Sequence, residues 1–260
     1  MIGIARRFVV GVVAATAATM MVAWGPSGAR AADVIVFANQ GAASGIRDLA
    51  AGYEKATGDK VVIVSVQGAA LMEKLDADAP GDVVTGFLPA GLDDLVKRGK
   101  AVAGSVVEFA RAGNGVAVRE GARKPDIATA EAFKRALLDA KSIGHSNNGT
   151  GPFNTRLFQK LGIYDQIKDR IKLSEGRPVA SYVASGEVEI GLQQTNVIQP
   201  FPGTVYLGPL PPDLIEYGRF GAAVMTVSKN KDGARALIGF MADPANHPLI
   251  RRSAMEPPGR

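Results

Sequence analysis

Ser142-Ile143-Gly144, then His145-Ser146-Asn147-Asn148-Gly149-Thr150-Gly151-Pro152, is a short apolar run, a polar glycine-rich turn and a helix start in succession. Pro152 suits a first helical turn, where its fixed φ fits and its missing N–H costs nothing. The apolar spacing from Phe153 to Leu161 predicts an amphipathic helix. Downstream come a second predicted helix, Val179 to Ser185, and a buried strand, Glu189-Ile190-Gly191-Leu192, that ends in Gln193-Gln194-Thr195-Asn196. Two polar loops thus stand at the carboxyl ends of neighbouring strands, where open α/β sheets hold ligands. The chemistry expected there is capture of a small polar ligand, an anion, on backbone amides and neutral side chains.

The chain before this stretch alternates strand and helix. Val34 to Phe37, Val61 to Val66 and Asp82 to Phe87 read as buried strands. Ala42 to Thr57, Ala69 to Ala77 and Pro89 to Lys97 read as helices, the first stopped by Gly58. This order argues for a parallel sheet covered on both faces. Val106 to Ala110 and Gly115 to Val118 read as two short strands joined by Arg111-Ala112-Gly113-Asn114, a crossover into a second lobe. Thr129 to Asp139 is a further helix. Seven Pro and Gly residues between Pro200 and Pro212 suggest an extended connection back. Phe220 to Val227 reads as a strand, Lys231 to Met241 as a helix, and Asn246 to Arg260 as a polar, proline-rich tail. The expected division is lobe 1 from residues 32–110 plus 212–260, and lobe 2 from residues 111–211.

Residues 1–31 read as a cleavable signal peptide. Arg6 and Arg7 precede an apolar run from Phe8 to Ala23, and Ala29-Arg30-Ala31 is an A-x-A cleavage signal. Gly11, Thr16 and Thr19 interrupt the run, which is short for a membrane anchor. The expected location is therefore the periplasm. Cleavage leaves 229 residues and removes three Arg and no acid, so the formal charge falls from +5 to +2. The basic balance belongs largely to the leader, and no nucleic-acid partner is expected. The absence of Cys excludes disulfides, thiolate metal sites and a cysteine nucleophile. The lone Trp24 lies in the leader, so the mature protein should fluoresce as a tyrosine protein.

Three strand-to-helix turns share one construction: Asn39-Gln40-Gly41, Gln67-Gly68 and Asn148-Gly149-Thr150-Gly151. A helix start offers unpaired N–H groups to an anion. Glycine admits close backbone approach, and Asn and Gln donate hydrogen bonds without charge. Catalytic constellations are sparse. His145 and His247 are the two histidines, without metal-ligand spacing. His145, at a strand end beside the proposed site, is a weak candidate for a general base and reads more readily as packed or capping. Gly149-Thr150-Gly151 lacks the Lys-Ser/Thr of a Walker loop, and no serine stands in a nucleophile elbow. No cofactor and no metal are expected. Arg156 and Arg177 are the bases nearest the turns, and either could grip a carboxylate by a bidentate contact.

With those residues in view, the chain resembles the periplasmic molybdate-binding proteins, solute-binding subunits of ABC transporters with the type 2 periplasmic binding fold. The likeness runs from Val34-Ile35-Val36-Phe37-Ala38 and Tyr53 to Gly58 through Ala79-Pro80-Gly81-Asp82-Val83, Thr150-Gly151 and Leu161-Gly162-Ile163. It continues through Val183 to Glu187 and Glu189-Ile190-Gly191 to Ala234 to Met241. The resemblance implies an α/β fold of two lobes with two crossovers, a monomer, a small anionic ligand caught by hinged closure, and an ABC transporter permease as partner. By position it implies ligand contacts at Gly41, Gln67, Thr150, Val179 and Gln194. With the neighbouring turn residues, the candidate ligand-binding set is Asn39, Gln40, Gly41, Gln67, Gly68, Asn148, Thr150, Gly151, Val179, Gln194 and Thr195. The family places a serine in each of the first two turns, where this chain has Gly41 and Gln67, and a tyrosine where it has Gln194. A carboxylate or another polar metabolite therefore stands beside molybdate as the expected ligand. Gly191-Leu192-Gln193-Gln194, with Pro202-Gly203 and Gly208-Pro209-Leu210-Pro211, looks like a divergent branch of this family, one that also resembles aconitate isomerase. That resemblance implies, as an alternative, a cofactor-free enzyme moving one proton of a tricarboxylate.

Overall fold

The computed structural model describes residues 33–66, 68–147, 150–175 and 177–259. The expected leader, Gln67 and Asn148 lie outside the described residues. Three parallel-type strands open the fold: β1 (Val34–Asn39) pairs with β2 (Val61–Val66) and with β3 (Val83–Leu88). The helix after β1 is α1 (Ala43–Thr57), reached through a 3-10 turn at Gln40–Ala42. It forms because Ile46, Leu49, Ala50 and Tyr53 recur at helical spacing and are all buried. It stops at Gly58, whose φ of 81° is left-handed and whose N–H donates to the Glu54 carbonyl. Helices α2 (Gly68–Asp76) and α3 (Ala90–Lys97) follow β2 and β3. Asp82, in the Ala79–Val83 motif, is structural: its carboxylate accepts from the Ile35 N–H at 2.9 Å and the Ser228 hydroxyl at 2.7 Å.

The expected pair of short strands is one strand, β4 (Val107–Arg119), 13 residues long. It changes partner without turning. Val107 to Gly113 pairs antiparallel with β9 (Tyr217–Val224). Asn114 to Ala117 pairs with β7 (Ile190–Gln194), and Gly115 to Arg119 with β8 (Thr204–Pro209). Gly113, which reads as a turn residue, and Gly115, which reads as the start of a strand, are both sites of close approach. A Cβ on either would stand 2.5 Å from the Ile215 or Tyr206 side chain. The proline-rich connection likewise contains a strand, β8, with its prolines at or beyond the ends.

The remaining elements are α4 (Ala130–Asp139), β5 (Ile143–Ser146), α5 (Gly151–Lys160), α6 (Tyr164–Ile167), β6 (Ile171–Ser174), α7 (Val179–Ala184), α8 (Thr195–Ile198), α9 (Lys231–Ala242) and α10 (His247–Arg252). Strands run in the order β2-β1-β3-β9-β4-β7-β5-β6, with β8 beside β4. The sheet is parallel within β2-β1-β3 and within β6-β5-β7, and antiparallel around β9 and β4, so it is mixed where a parallel sheet was expected. The chain that returns at β9 runs against β3, which periodicity alone could not reveal.

Two cores flank this crossing. In one, α1, α9 and α10 cover one sheet face with Ile46, Leu49, Leu237, Met241 and Ile250, while α2 and α3 cover the other with Leu71, Leu75, Leu92 and Leu95. In the second, Phe133, Leu137, Leu157 and Phe158 pack on Val116, Ile143, Ile190 and Leu192, and α7 covers the opposite face with Val179 and Val183. This is the two-lobed α/β architecture. The tail is not merely polar. Ile250 and Met255 are buried in the first core, and Arg111 and Glu256 exchange backbone hydrogen bonds at 2.8 Å. Among the described residues no helix is long and apolar enough to cross a membrane.

Candidate functional site

The carboxyl ends of β1, β3, β5, β6 and β7 reach a cleft of about 640 Å³. Each brings a polar residue to its wall: Asn39, Thr85, Ser146, Ser174, and Gln193 with Gln194. The starts of the following helices supply Gly41, Gly68 and Thr150, and the entry to α7 supplies Arg177 and Pro178. Leu71, Met72, Phe87, Leu95 and Val197 form an apolar part of the wall. A cleft of this size and mixed lining suits a small organic molecule held by a few polar groups.

Several of these side chains are held in place. The Asn39 N–H donates to Thr85 Oγ1 at 3.1 Å, and that hydroxyl donates to Asn39 Oδ1 at 2.9 Å. Gln194 is 6 % exposed, and its Oε1 would stand 2.9 Å from a Cβ at position 41. Gly41 is thus the small residue that admits the Gln194 amide. Asn196 Nδ2 donates to the Gly41 carbonyl at 2.8 Å and to Ser44 Oγ at 3.0 Å, tying α8 to the first turn. Among the described lining residues, Arg177 is the ionised side chain. It donates to Glu187 at 2.6 Å and lies 3.7 Å over the Tyr182 ring, and Ser185 Oγ steadies Glu187 from 2.8 Å. The hydrogen bond to Glu187 raises the Arg177 pKa, and the same bond lowers that of Glu187. Arg156 pairs instead with Glu216 at 3.8 Å and does not line the cleft.

Of the residues singled out from sequence, Asn39, Gly41, Gly68, Thr150 and Gln194 line the cleft. Gln40 lies in the 3-10 turn beside Gly41. Gly151, Val179 and Thr195 do not line it and have packing roles. A Cβ on Gly151 would stand 1.9 Å from the Ser146 carbonyl oxygen. Val179 is fully buried against Gly144 and Gly191. Thr195 Oγ1 donates to the Gly113 carbonyl at 3.2 Å. His145 is also absent from the wall. It is 3 % exposed, its Nδ1 is 2.8 Å from the Ser146 carbonyl oxygen, and it meets Phe158 edge-on at 5.8 Å. Burial lowers its pKa, so the ring stays neutral at neutral pH.

Sequence reasoning passed over Thr85, Ser146, Asn147, Ser174 and Gln193 as wall residues. Ser146, Asn147 and Gln193 belong to the polar runs already quoted, so the signal was present. Thr85 showed as one hydroxyl inside the apolar run of β3. Ser174 had no usable signal, because β6 is only four residues long.

Residues 34–256 match the family profile described as bacterial extracellular solute-binding protein. An aconitate isomerase of Pseudomonas sp. is 30 % identical over 228 residues, which span 85 % of this chain and 87 % of that protein. A molybdate-binding protein of Azotobacter vinelandii is 28 % identical over 232 residues, 86 % of this chain and 89 % of that one. In a solved structure, the periplasmic molybdate-binding protein of Azotobacter vinelandii superposes with a TM-score of 0.69 at 22 % identity, covering 87 % of this chain and 100 % of that one.

Proposed function

The chain belongs to the bacterial extracellular solute-binding protein family, and from that premise we propose that it captures a small organic carboxylate in the periplasm for an ABC transporter permease. The observation that carries this reading is the composition of the wall. Among the described lining residues the polar groups are neutral hydroxyls and amides, the ionised group is Arg177, and the remainder is apolar. Arg offers a fork of donors that matches a carboxylate, and Leu71, Met72 and Phe87 suit a carbon skeleton better than an inorganic oxyanion. No Asp, Glu, Lys or His stands among the described lining residues, a set fitted to holding an anion and poorly fitted to moving a proton. On this reading residues 1–31 export the protein. Lobe 1 (residues 32–110 and 212–260) then closes on lobe 2 (residues 111–211) as a monomer.

Thermal shift of the mature protein against citrate, malate, succinate, cis- and trans-aconitate, sulfate, molybdate and tungstate tests the proposal. A ligand at a hundredfold excess over its Kd adds about 2.7 kcal/mol of stability. The expected result is a shift with one or more carboxylates; a shift with the inorganic oxyanions alone would sink it. The likeness to an aconitate isomerase favours a second reading, trans/cis isomerisation in the same cleft. Incubation with trans-aconitate at high protein concentration decides that one: no cis isomer means no isomerase.

A further inference from the structure

Two buried polar atoms on neighbouring residues of the cleft wall have no partner among the described residues: Gln193 Oε1, an acceptor, and Gln194 Nε2, a donor. Resting on the carboxylate reading above, we infer that Gln193 and Gln194 select hydroxycarboxylates, anions that carry a donor beside their acceptors, over anions that present acceptors alone. Buried polar groups in folded proteins are almost always paired, and a buried group left unpaired is costly. A carboxylate oxygen satisfies the Gln194 donor. The Gln193 acceptor needs a hydrogen-bond donor, which the hydroxyl of a hydroxycarboxylate supplies and which sulfate, molybdate and a plain dicarboxylate lack at neutral pH.

The surroundings hold the Gln194 amide in the cleft, and Gln193 precedes it on the same wall. The β4–β7 register places Asn114 opposite Gln194 and Gly115 opposite Gln193. The Gln194 amide sits between two glycines; Cβ atoms there would stand 2.9 Å from its Oε1 at position 41 and 3.4 Å from its Nε2 at position 218. The nearest polar side chains in sequence and register are already committed. Asn114 Nδ2 donates to Asn154 Oδ1 at 2.8 Å, Thr195 Oγ1 to the Gly113 carbonyl at 3.2 Å, and Asn196 Nδ2 to Gly41 and Ser44. Asn154 Nδ2 and Asn196 Oδ1 are also unpaired, but their residues do not line the cleft.

Titration calorimetry with ligand pairs that differ by one hydroxyl tests the inference: malate against succinate, and citrate against propane-1,2,3-tricarboxylate. The hydroxy member of at least one pair is expected to bind about 10- to 100-fold tighter, the cost of leaving one buried acceptor unpaired. Gln193→Met, of similar length and without the acceptor, is expected to bring that ratio to within about threefold. Equal affinity within each pair in the unaltered protein overturns the inference and leaves the carboxylate reading standing. Tighter binding of molybdate or sulfate than of any carboxylate, or no binding at all, overturns both. The ligand pairs decide the matter even if the variant fails to fold.

Discussion

Gly151 and His145 lie in the same polar turn, one expected in the ligand-binding set and the other expected as a packed or capping residue, and both are committed to the protein. With the Ser146 carbonyl oxygen 1.9 Å from a Cβ at position 151, Gly151→Ala must displace the β5–α5 turn. Overpacking of this kind costs about 1–3 kcal/mol, measurable by urea denaturation. His145 has a folded pKa below the ordinary 6.5, chiefly through burial, while its hydrogen bond to Ser146 pulls the other way. A base whose pKa is depressed on folding binds fewer protons in the folded than in the unfolded state, so stability rises with pH across that window. Its stabilising effect is complete above about pH 6.5 and declines as pH falls toward the folded value. Denaturation midpoints at pH 7.5 and 5.5 should therefore differ more in the unaltered protein than in His145→Gln; equal differences would refute the assignment. Arg177 is surface-lying and already paired, so Arg177→Gln should leave stability within about 0.5 kcal/mol. Carboxylate affinity should fall about tenfold or more, as expected for loss of a charge-assisted hydrogen bond. Calorimetry and a thermal melt read the two effects separately.

Strand β4 shows at the scale of the element what local pattern could and could not disclose. Its ends were legible, but its centre, Arg111-Ala112-Gly113-Asn114, also spells a turn. Ile215 and Tyr206 explain Gly113 and Gly115, and both come from about ninety or more positions away in sequence. Neither the pattern nor the spacing within β4 carries that information. Strand β6 and the C-terminal tail escaped for similar reasons: one is an edge strand of four residues, and the other has only isolated apolar residues. Met255 is one of these, 2 % exposed and packed where Gly45 of α1 leaves room. Met255→Ala is expected to cost about 2–5 kcal/mol, the range for truncating a buried large side chain. A melt indistinguishable from that of the unaltered protein would show that the tail does not belong to the core.

At the scale of the molecule, the described residues form two cores joined through β4 and β9, with the candidate cleft walled by residues of both. Hinged closure over a ligand should lower the radius of gyration in small-angle scattering as the protein is saturated. A ligand that binds tightly and leaves the scattering curve unchanged would count against closure. The sequence by itself determined the α/β class, most helices and strands, the family likeness, and the polar turns at the strand ends. These features rest on periodicity, capping and glycine placement, which act over a few residues. Only the tertiary structure decided that the sheet is mixed, that β4 runs unbroken between cores, and which residues of the polar turns face the cleft. It also decided that Gln193 and Gln194 each bury an unpaired atom there. Those outcomes depend on which distant side chain fills the space beside each glycine and amide, a matter of packing between segments far apart in the chain.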